Sequence, residues 1–460
     1  MGVFQNNLMG AAAAAASAGG SAFYDHQITQ SVRLGDTGYL KRTPSSAGNR
    51  ATWTFSTWIK LTNLGINSNA DQSGAILNAG TSGNQDGFYR LNYETTKLFS
   101  SSAEANFFFS TGLYRDTSAW YHVVWKQGGG TATVYVNGVA APGATASVSG
   151  NTAVNNNVIH CIGGASNSLG EKPLKGYLAE TIMIDGTALG PDSFGEEKNG
   201  VWIPKDASGL TFGTNGFHLD YASSSDLGND VSGNNNDWTS VNLAASDKTL
   251  DSPTFNSDSN GGNWNTLNAI DLNSADAGLS DGGLTLTTTS SNRRSAFGTM
   301  GVSTGKWYFE SRQINDTASN NYPIGIQRIS EGLQWKNWTH YIGSAVSTYD
   351  YSYAMYNKGA GDTSEKVYND VWTTLTTSSA GVAGTIFQMA FDLDAGKIWF
   401  GINNTWTNSG NPSTAANPVF TSLASGTYAT ALSISLSGSH DYFTHNYGQD
   451  GTFAGTLTGG

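Results

Sequence analysis

The chain has 460 residues, more than one hydrophobic core usually organises, so two or three domains are expected. Its 57 glycines, 9 prolines and 13 tryptophans, set among abundant Ser, Thr and Asn, describe short strands joined by polar turns and exclude a helical protein. Only 13% of residues are charged, and 23 Lys and Arg against 35 Asp and Glu leave a net charge of -12, which argues against nucleic acid as a partner because phosphate binding needs clustered cations. The single Cys161 rules out an intrachain disulfide and reads as a small buried hydrophobe between Ile159 and Ile162.

Residues 1–22, MGVFQNNLMGAAAAAASAGGSA, differ from all that follows. No Lys or Arg precedes Arg33 and the run is alanine rather than leucine, so a secretory signal is not expected. Asn6 stands where a myristoylation signal needs Ser or Thr, and the alanine run is too short and too weakly apolar for membrane insertion. A purely solvated tail has no need of large apolar groups. The segment 1–25 is therefore read as an Ala/Gly-rich attachment peptide, with Val3, Phe4, Leu8 and Met9 as anchors that order on another protein; a disordered tail is the alternative.

Strands then follow at spacings near ten residues: Ile28 to Leu34, Thr52 to Lys60, Gly74 to Asn78, Phe88 to Tyr93, Asn106 to Ser110, Tyr121 to Lys126, Thr131 to Asn137, Val158 to Gly163 and Gly176 to Asp185. Tyr121, Val123 and Trp125 alternate before a triple-glycine turn, Gly128 to Gly130, and a return strand. The blocks ATWTFSTWIKL, AWYHVVWKQ…TVYVNGV and KGYLAETIMIDGTAL resemble the laminin-G or concanavalin-A-like jelly roll, which implies a sandwich over 26–241 including a polar C-terminal extension. The order of the later blocks, WIPK, GFHLDY, SGNNNDW and DSPTFN, together with FQNNLMGAAAAAASAGG, resembles structural proteins of tailed bacteriophages, especially marine ones. Acidic residues, serines and Pro253 then replace the strand pattern, so 242–263 is expected to be a linker.

The second domain, 264–460, is organised around Ile386 to Asn404. Phe387, Met389, Phe391 and Leu393 share one face, Asp394-Ala395-Gly396 turns the chain, and Ile398, Phe400 and Ile402 return on the same face. Burying each such side chain is worth roughly 1.5–3 kcal/mol, so this stripe must lie against a second sheet. GKWYFES, FDLDAGKIWFGIN and the closing NYGQ resemble a SPRY domain. The resemblance implies a bent β-sandwich that binds partners and carries no catalytic motif. The expected fold is thus all-β, with two tandem β-sandwich (jelly-roll-like) domains behind a short N-terminal anchoring segment.

Glu331 to Tyr341 carries Trp335, Trp338, His340 and Tyr341 without clean alternation, where SPRY domains have a variable binding loop; stacking on a sugar or peptide is expected there, with edge packing as the alternative. Tyr349, Tyr351 and Tyr353 read as strand residues packed on a sheet face. Asp230 to Asp237, DVSGNNND, gathers oxygen ligands around a glycine, so Asp230 and Asp237 are weak calcium candidates, although such Asx-Gly runs more often make turns. Asp392 and Asp394 are expected on a solvated face. Gly301 to Gly305 matches G-x-S-x-G, but a strand follows where a nucleophile elbow needs a helix. The paired acidic motif of jelly-roll glucanases is missing from the sequence, so no enzyme is expected and no cofactor is required.

These readings imply a phage fibre, spike or decoration protein at the virion surface, made in the host cytoplasm. Its N-terminus would bind other virion proteins and its sandwiches a host-surface glycan or protein. Weak single-site binding gains from many copies, so a homo-oligomer, with a trimer favoured, is expected. The alternatives are a polysaccharide-degrading virion enzyme and a purely architectural capsid or tail subunit.

Overall fold

The computed structural model describes residues 23–35, 37–62, 74–81, 84–92, 97–102, 105–148, 151–166, 172–255, 262–272, 277–288, 294–314, 322–329, 342, 351–357, 363–377, 383–434 and 440–450. The anchors Val3, Phe4, Leu8 and Met9 and the candidates Trp335, Trp338, His340 and Tyr341 lie outside them, as does Tyr349. Among the described residues the protein is all-β, broken only by short 3-10 turns, and no helix is long and apolar enough to cross a membrane. Two compact units divide it, Met1–Trp264 and Asn265–Gly460.

The first unit packs an eight-stranded sheet on a seven-stranded one. The centre of the larger sheet runs Trp120–Gly128, Trp53–Leu61, Gly176–Asp185 and Ser31–Leu34, all antiparallel. Trp53, Phe55, Ile59 and Leu61 alternate onto the inner face with Val123, Trp125 and Leu178, and meet Leu40, Leu77 and Ile162 of the smaller sheet. Cys161 is fully buried there, as its neighbours predict. Gly129 and Gly130, at φ 60° and 75°, supply the two left-handed positions of the hairpin turn between Trp120–Gly128 and Thr131–Val136.

Every residue of Trp53–Leu61 is buried, so the outer face of this sheet is covered as well. Trp58, Trp120 and Tyr177 form one apolar cluster on it with Ile28, and Val124, Ile182 and Ile184 form another with Phe194, Ala207 and Phe212. The cover is the chain beyond residue 190, which adds the ribbon Gly195–Lys198 with Val201–Pro204 and the short strand Phe217–Leu219. The expected linker belongs to this cover in its described part. Lys248–Thr249 pairs with Ser31–Leu34, and Asp251, Ser252 and Thr254 are fully buried. Asp251 and Ser252 carry hydrogen bonds rather than solvent contacts, and Thr254 bonds both the N–H and the carbonyl of Ile28.

In the second unit an eight-stranded sheet holds Lys306–Gln313, Ile386–Asp392 and Lys397–Ile402 side by side, and a six-stranded sheet holds Arg294–Val302, Tyr428–Ile434, Tyr322–Arg328 and Ser352–Asn357. The central hairpin pairs Phe387 with Ile402, Met389 with Phe400 and Phe391 with Ile398, and this stripe is the heart of the core. Gly396 turns it at φ 63°. On the opposite face Asp394 is exposed as expected, but Asp392 is buried rather than solvated, as is Gln388. Gln388 lies against Tyr308, and Asp392 Oδ1 accepts from the Ala395 N–H in the turn.

Truncating the buried Phe400 to Ala should cost about 3–5 kcal/mol, read as loss of amide-exchange protection across Ile386–Ile402 in the full chain. Val371→Ala, at an exposed position, should change protection by less than about 0.5 kcal/mol.

Candidate functional site

The Asp230 loop closes on itself. Asp230 Oδ1 accepts from the N–H groups of His218 and Ser232 at 2.8 and 2.9 Å, and Oδ2 accepts from Ser232 Oγ and the Asn236 N–H at 2.9 and 2.8 Å. Asp237 Oδ1 takes the Asp230 N–H, and the Arg42 guanidinium donates to Asn236 Oδ1. The lone pairs a calcium ion would use are spent on the turn, and a cation already sits beside it. Among the described residues no group of three or more His, Cys, Asp or Glu side chains is disposed to hold a metal.

Two Ser–His pairs lie in the cores. His122 Nε2 is 2.8 Å from Ser56 Oγ while Trp202 Nε1 donates to Nδ1 at 2.9 Å, so the ring proton is on Nε2 and points at the serine. That tautomer cannot take a proton from Ser56. Trp58 and Trp202 stack on the ring, and burial pushes its pKa down to about 3. His445 Nδ1 meets Ser311 Oγ at 2.7 Å between Phe309 and Tyr447, again with burial pushing the imidazole down to about 3. Both pairs are shut away from any substrate. Ser303 of the G-x-S-x-G string lies in a bend between strands Arg294–Val302 and Lys306–Gln313, without the helix an elbow needs.

A centre that the sequence did not announce sits on Gly176–Asp185. Glu180 occupies φ 46°, left-handed for a residue with a side chain, in a bulge that shifts the register between Ala179 and Ile182. The bulge also flips the alternation, with Leu178 inward before it and Met183 inward after it. Glu180 Oε2 bonds His218 Nε2, and Oε1 lies 3.4 Å from His26 Nε2. Burial works to raise the Glu180 pKa, but hydrogen bonds from His218 and His26 outweigh it and hold it down at about 2. The same carboxylate raises His26, against a smaller desolvation effect; for His218 burial is the larger single effect, yet the Glu180 bond and nearby carboxylates leave it raised. A carboxyl held ionised this firmly cannot serve as a general acid. The nearby Asp206 is lowered too, by hydrogen bonds from Ser208.

The second unit presents a different chemistry on the outer face of its larger sheet. Tyr308, Glu310 and Arg312 alternate outward on Lys306–Gln313, opposite Ala390, Gln388 and Ile386. Tyr308 donates to Glu310 Oε1 at 2.7 Å and accepts from Gln388 Nε2 at 2.9 Å, while Gln388 Oε1 takes the Asn404 N–H. Trp406 meets Tyr308 edge-on at 6.4 Å, both rings half-buried, and Arg312 and Trp307 are exposed nearby in sequence. Burial raises the Glu310 pKa against the pull of Tyr308 and Asn446. Gln388 and Glu310 are buried and fix the Tyr308 hydroxyl, which leaves the half-buried rings of Tyr308 and Trp406 as a surface suited to stacking on a ligand ring. On the smaller sheet, Tyr353 is buried in a stack with Tyr368 at 4.7 Å, and Arg328 covers the half-buried Tyr351 at 3.8 Å, which matches the sheet-face packing expected of these tyrosines.

Comparison with known proteins reaches the first unit. Residues 34–193 match the family described as the concanavalin A-like lectin/glucanases superfamily. No curated protein matches the chain. Among solved structures, the SPRY domain of human HERC1 is similar at 15% identity and TM-score 0.27 over 35% of this chain and 87% of that one. The PSpry domain of TRIM65 gives 16% and 0.29 over 40% and 92%, and stonustoxin 14% and 0.27 over 37% and 27%. The first unit therefore contains a concanavalin-A-like sandwich.

The His26–Glu180 pair has a defined pH signature. A raised His26 stabilises below the unfolded value of 6.5, and that stability is lost as pH rises through the higher folded value. A lowered Glu180 stabilises above 4.5 and loses that stability as pH falls toward about 2. Glu180→Gln should thus destabilise most between these two limits and less at alkaline pH. By NMR, the His26 titration midpoint should lie above 6.5 in the parent and fall in the variant.

Proposed function

We propose that this chain is a binding protein of a phage particle, attached through its N-terminal segment and presenting two β-sandwiches to a host-surface glycan. The observation that carries the reading is the lectin/glucanase-superfamily match of 34–193, in a sandwich whose strained carboxylate, Glu180, is neutralised by two imidazoles instead of paired with a raised acid. Hydrolysis by retention or inversion needs one carboxyl kept protonated until it donates, and Glu180 and the nearby Asp206 are both lowered. Recognition without turnover fits that chemistry.

The half-buried rings of Tyr308 and Trp406 on the second unit, with the buried Gln388 and Glu310 holding the Tyr308 hydroxyl from beneath, are the place we assign to the glycan. Single-site affinity would be weak, of order millimolar, and several copies on one particle would turn it into firm adhesion. A homo-oligomer, with a trimer favoured, supplies that multiplicity, and the resemblance of the opening segment to phage structural proteins supports attachment there.

Retention on immobilised host envelope polysaccharide tests the reading. Tyr308→Ala combined with Trp406→Ala should weaken retention about tenfold or more, since each ring contributes on the order of 0.5–1.5 kcal/mol beyond its burial. Undiminished retention by a variant with parental circular dichroism would remove the assignment.

A further inference from the structure

Among the buried polar groups of the first unit, one cluster serves neither the Glu180 centre nor the glycan reading. Lys60, at the end of the central strand Trp53–Leu61, is fully buried, and its Nζ lies 2.8 Å from Asp251 Oδ2, 2.9 Å from Asn263 Oδ1 and 2.6 Å from the Trp264 carbonyl. Asp251 is also fully buried, and Trp120 Nε1 donates to its other oxygen at 2.9 Å. Asn263 is fixed from the far side, its Nδ2 donating to the Ser118 carbonyl at 2.6 Å. A parallel bridge between Asp251 and Gly262, with Ser252 N–H to Gly262 carbonyl at 2.7 Å, sets the carboxyl and the amide side by side in front of the amine. The Tyr177 ring centroid lies 5.8 Å from Nζ, in an apolar cluster with Trp120, Trp58 and Ile28; the amine and the carboxyl are fully buried, while Asn263 is half-buried at the edge.

An amine, a primary amide and a carboxyl packed within hydrogen-bond distance is a reactive arrangement. We propose that Lys60 and Asn263 join in an intramolecular isopeptide bond, with Asp251 as the proton-transferring carboxyl. Lys60 hands a proton to Asp251 Oδ2, and the freed lone pair attacks Asn263 Cγ, one bond beyond an oxygen already 2.9 Å away. The new N–C bond pushes the C=O pair onto oxygen, where the Asp251 proton supports it. As the carbonyl re-forms, Cγ–Nδ2 breaks and Nδ2 leaves with that proton and one from Nζ as an ammonium ion, which returns Asp251 to the carboxylate it began as. Nothing is oxidised or reduced, and the products are one secondary amide and one ammonium ion, so the chain loses the atoms of one ammonia. Burial favours the neutral forms this step starts from, lowering Lys60 and raising Asp251 against their mutual attraction. The bond would staple the covering segment to the central strand across 203 residues of sequence.

Mass spectrometry of the full chain, folded and then denatured, reads this directly. The intact mass should fall below the sequence mass by one ammonia, about 17 Da. Because succinimide formation gives the same loss, the peptide map decides: trypsin should fail to cut at Lys60, and residues 51–90 should appear joined to residues 249–293 through Lys60 and Asn263. Asn263→Ala should release the two peptides, as should Asp251→Ala, which leaves both reacting groups in place. Recovery of unlinked Lys60 and Asn263 peptides from the folded parent protein overturns the proposal, and so does a Lys60 link to Asp251 with loss of water. An Asp251→Ala protein that still links overturns the role given to Asp251.

Discussion

A strand buried on both faces makes two demands, and the first unit is built to meet them. Trp53–Leu61 sends Trp53, Phe55, Ile59 and Leu61 into the sandwich and Thr54, Ser56, Trp58 and Lys60 to the other side, and none of these side chains reaches water. One partner sheet satisfies the inner set. The outer set requires a second cover, and the chain from residue 190 to residue 264 supplies it with isolated anchors: Phe194, Phe212 and Trp202 over the sheet, then Asp251 and Asn263 over Lys60. An amine in that position needs partners because an unpaired buried ammonium costs several kcal/mol. Much of the unit's irregular C-terminal part follows from where Lys60 and Trp58 point.

The same constraint explains what could be read from the sequence. Hairpins with strict alternation were legible to the residue, as in the pairing of Phe387, Met389 and Phe391 with Ile402, Phe400 and Ile398. The covering segment was not, because strands such as Lys248–Thr249 and Phe217–Leu219 are too short to carry a period and its serines and aspartates are the residues that usually mark linkers. Asp392 was misread for the related reason that a polar alternate looks solvent-facing until a turn N–H is found beside it. Nothing in LAET signals a left-handed glutamate; the two histidines that hold it lie 154 and 38 residues away. A lysine as the one charged residue of the strand Trp53–Leu61 was the visible hint of the Lys60 cluster.

Two carboxyl groups of the first unit illustrate how environment assigns chemistry. Glu180, between two imidazoles, is held ionised, whereas Asp251, walled by tryptophan and tyrosine beside an amine, is drawn toward its neutral form. The first is suited to fixing a strained bulge and the second to moving a proton within the protein. The two buried Ser–His pairs are closed by aromatic rings.

Binding without turnover is the centre of this account, and host envelope polysaccharide incubated with excess wild-type protein tests it most directly. The polysaccharide should co-sediment with the protein and be recovered at its original length, with no new reducing ends. Shortened chains accompanied by new reducing ends would contradict the account and return the first unit to the hydrolytic side of its superfamily.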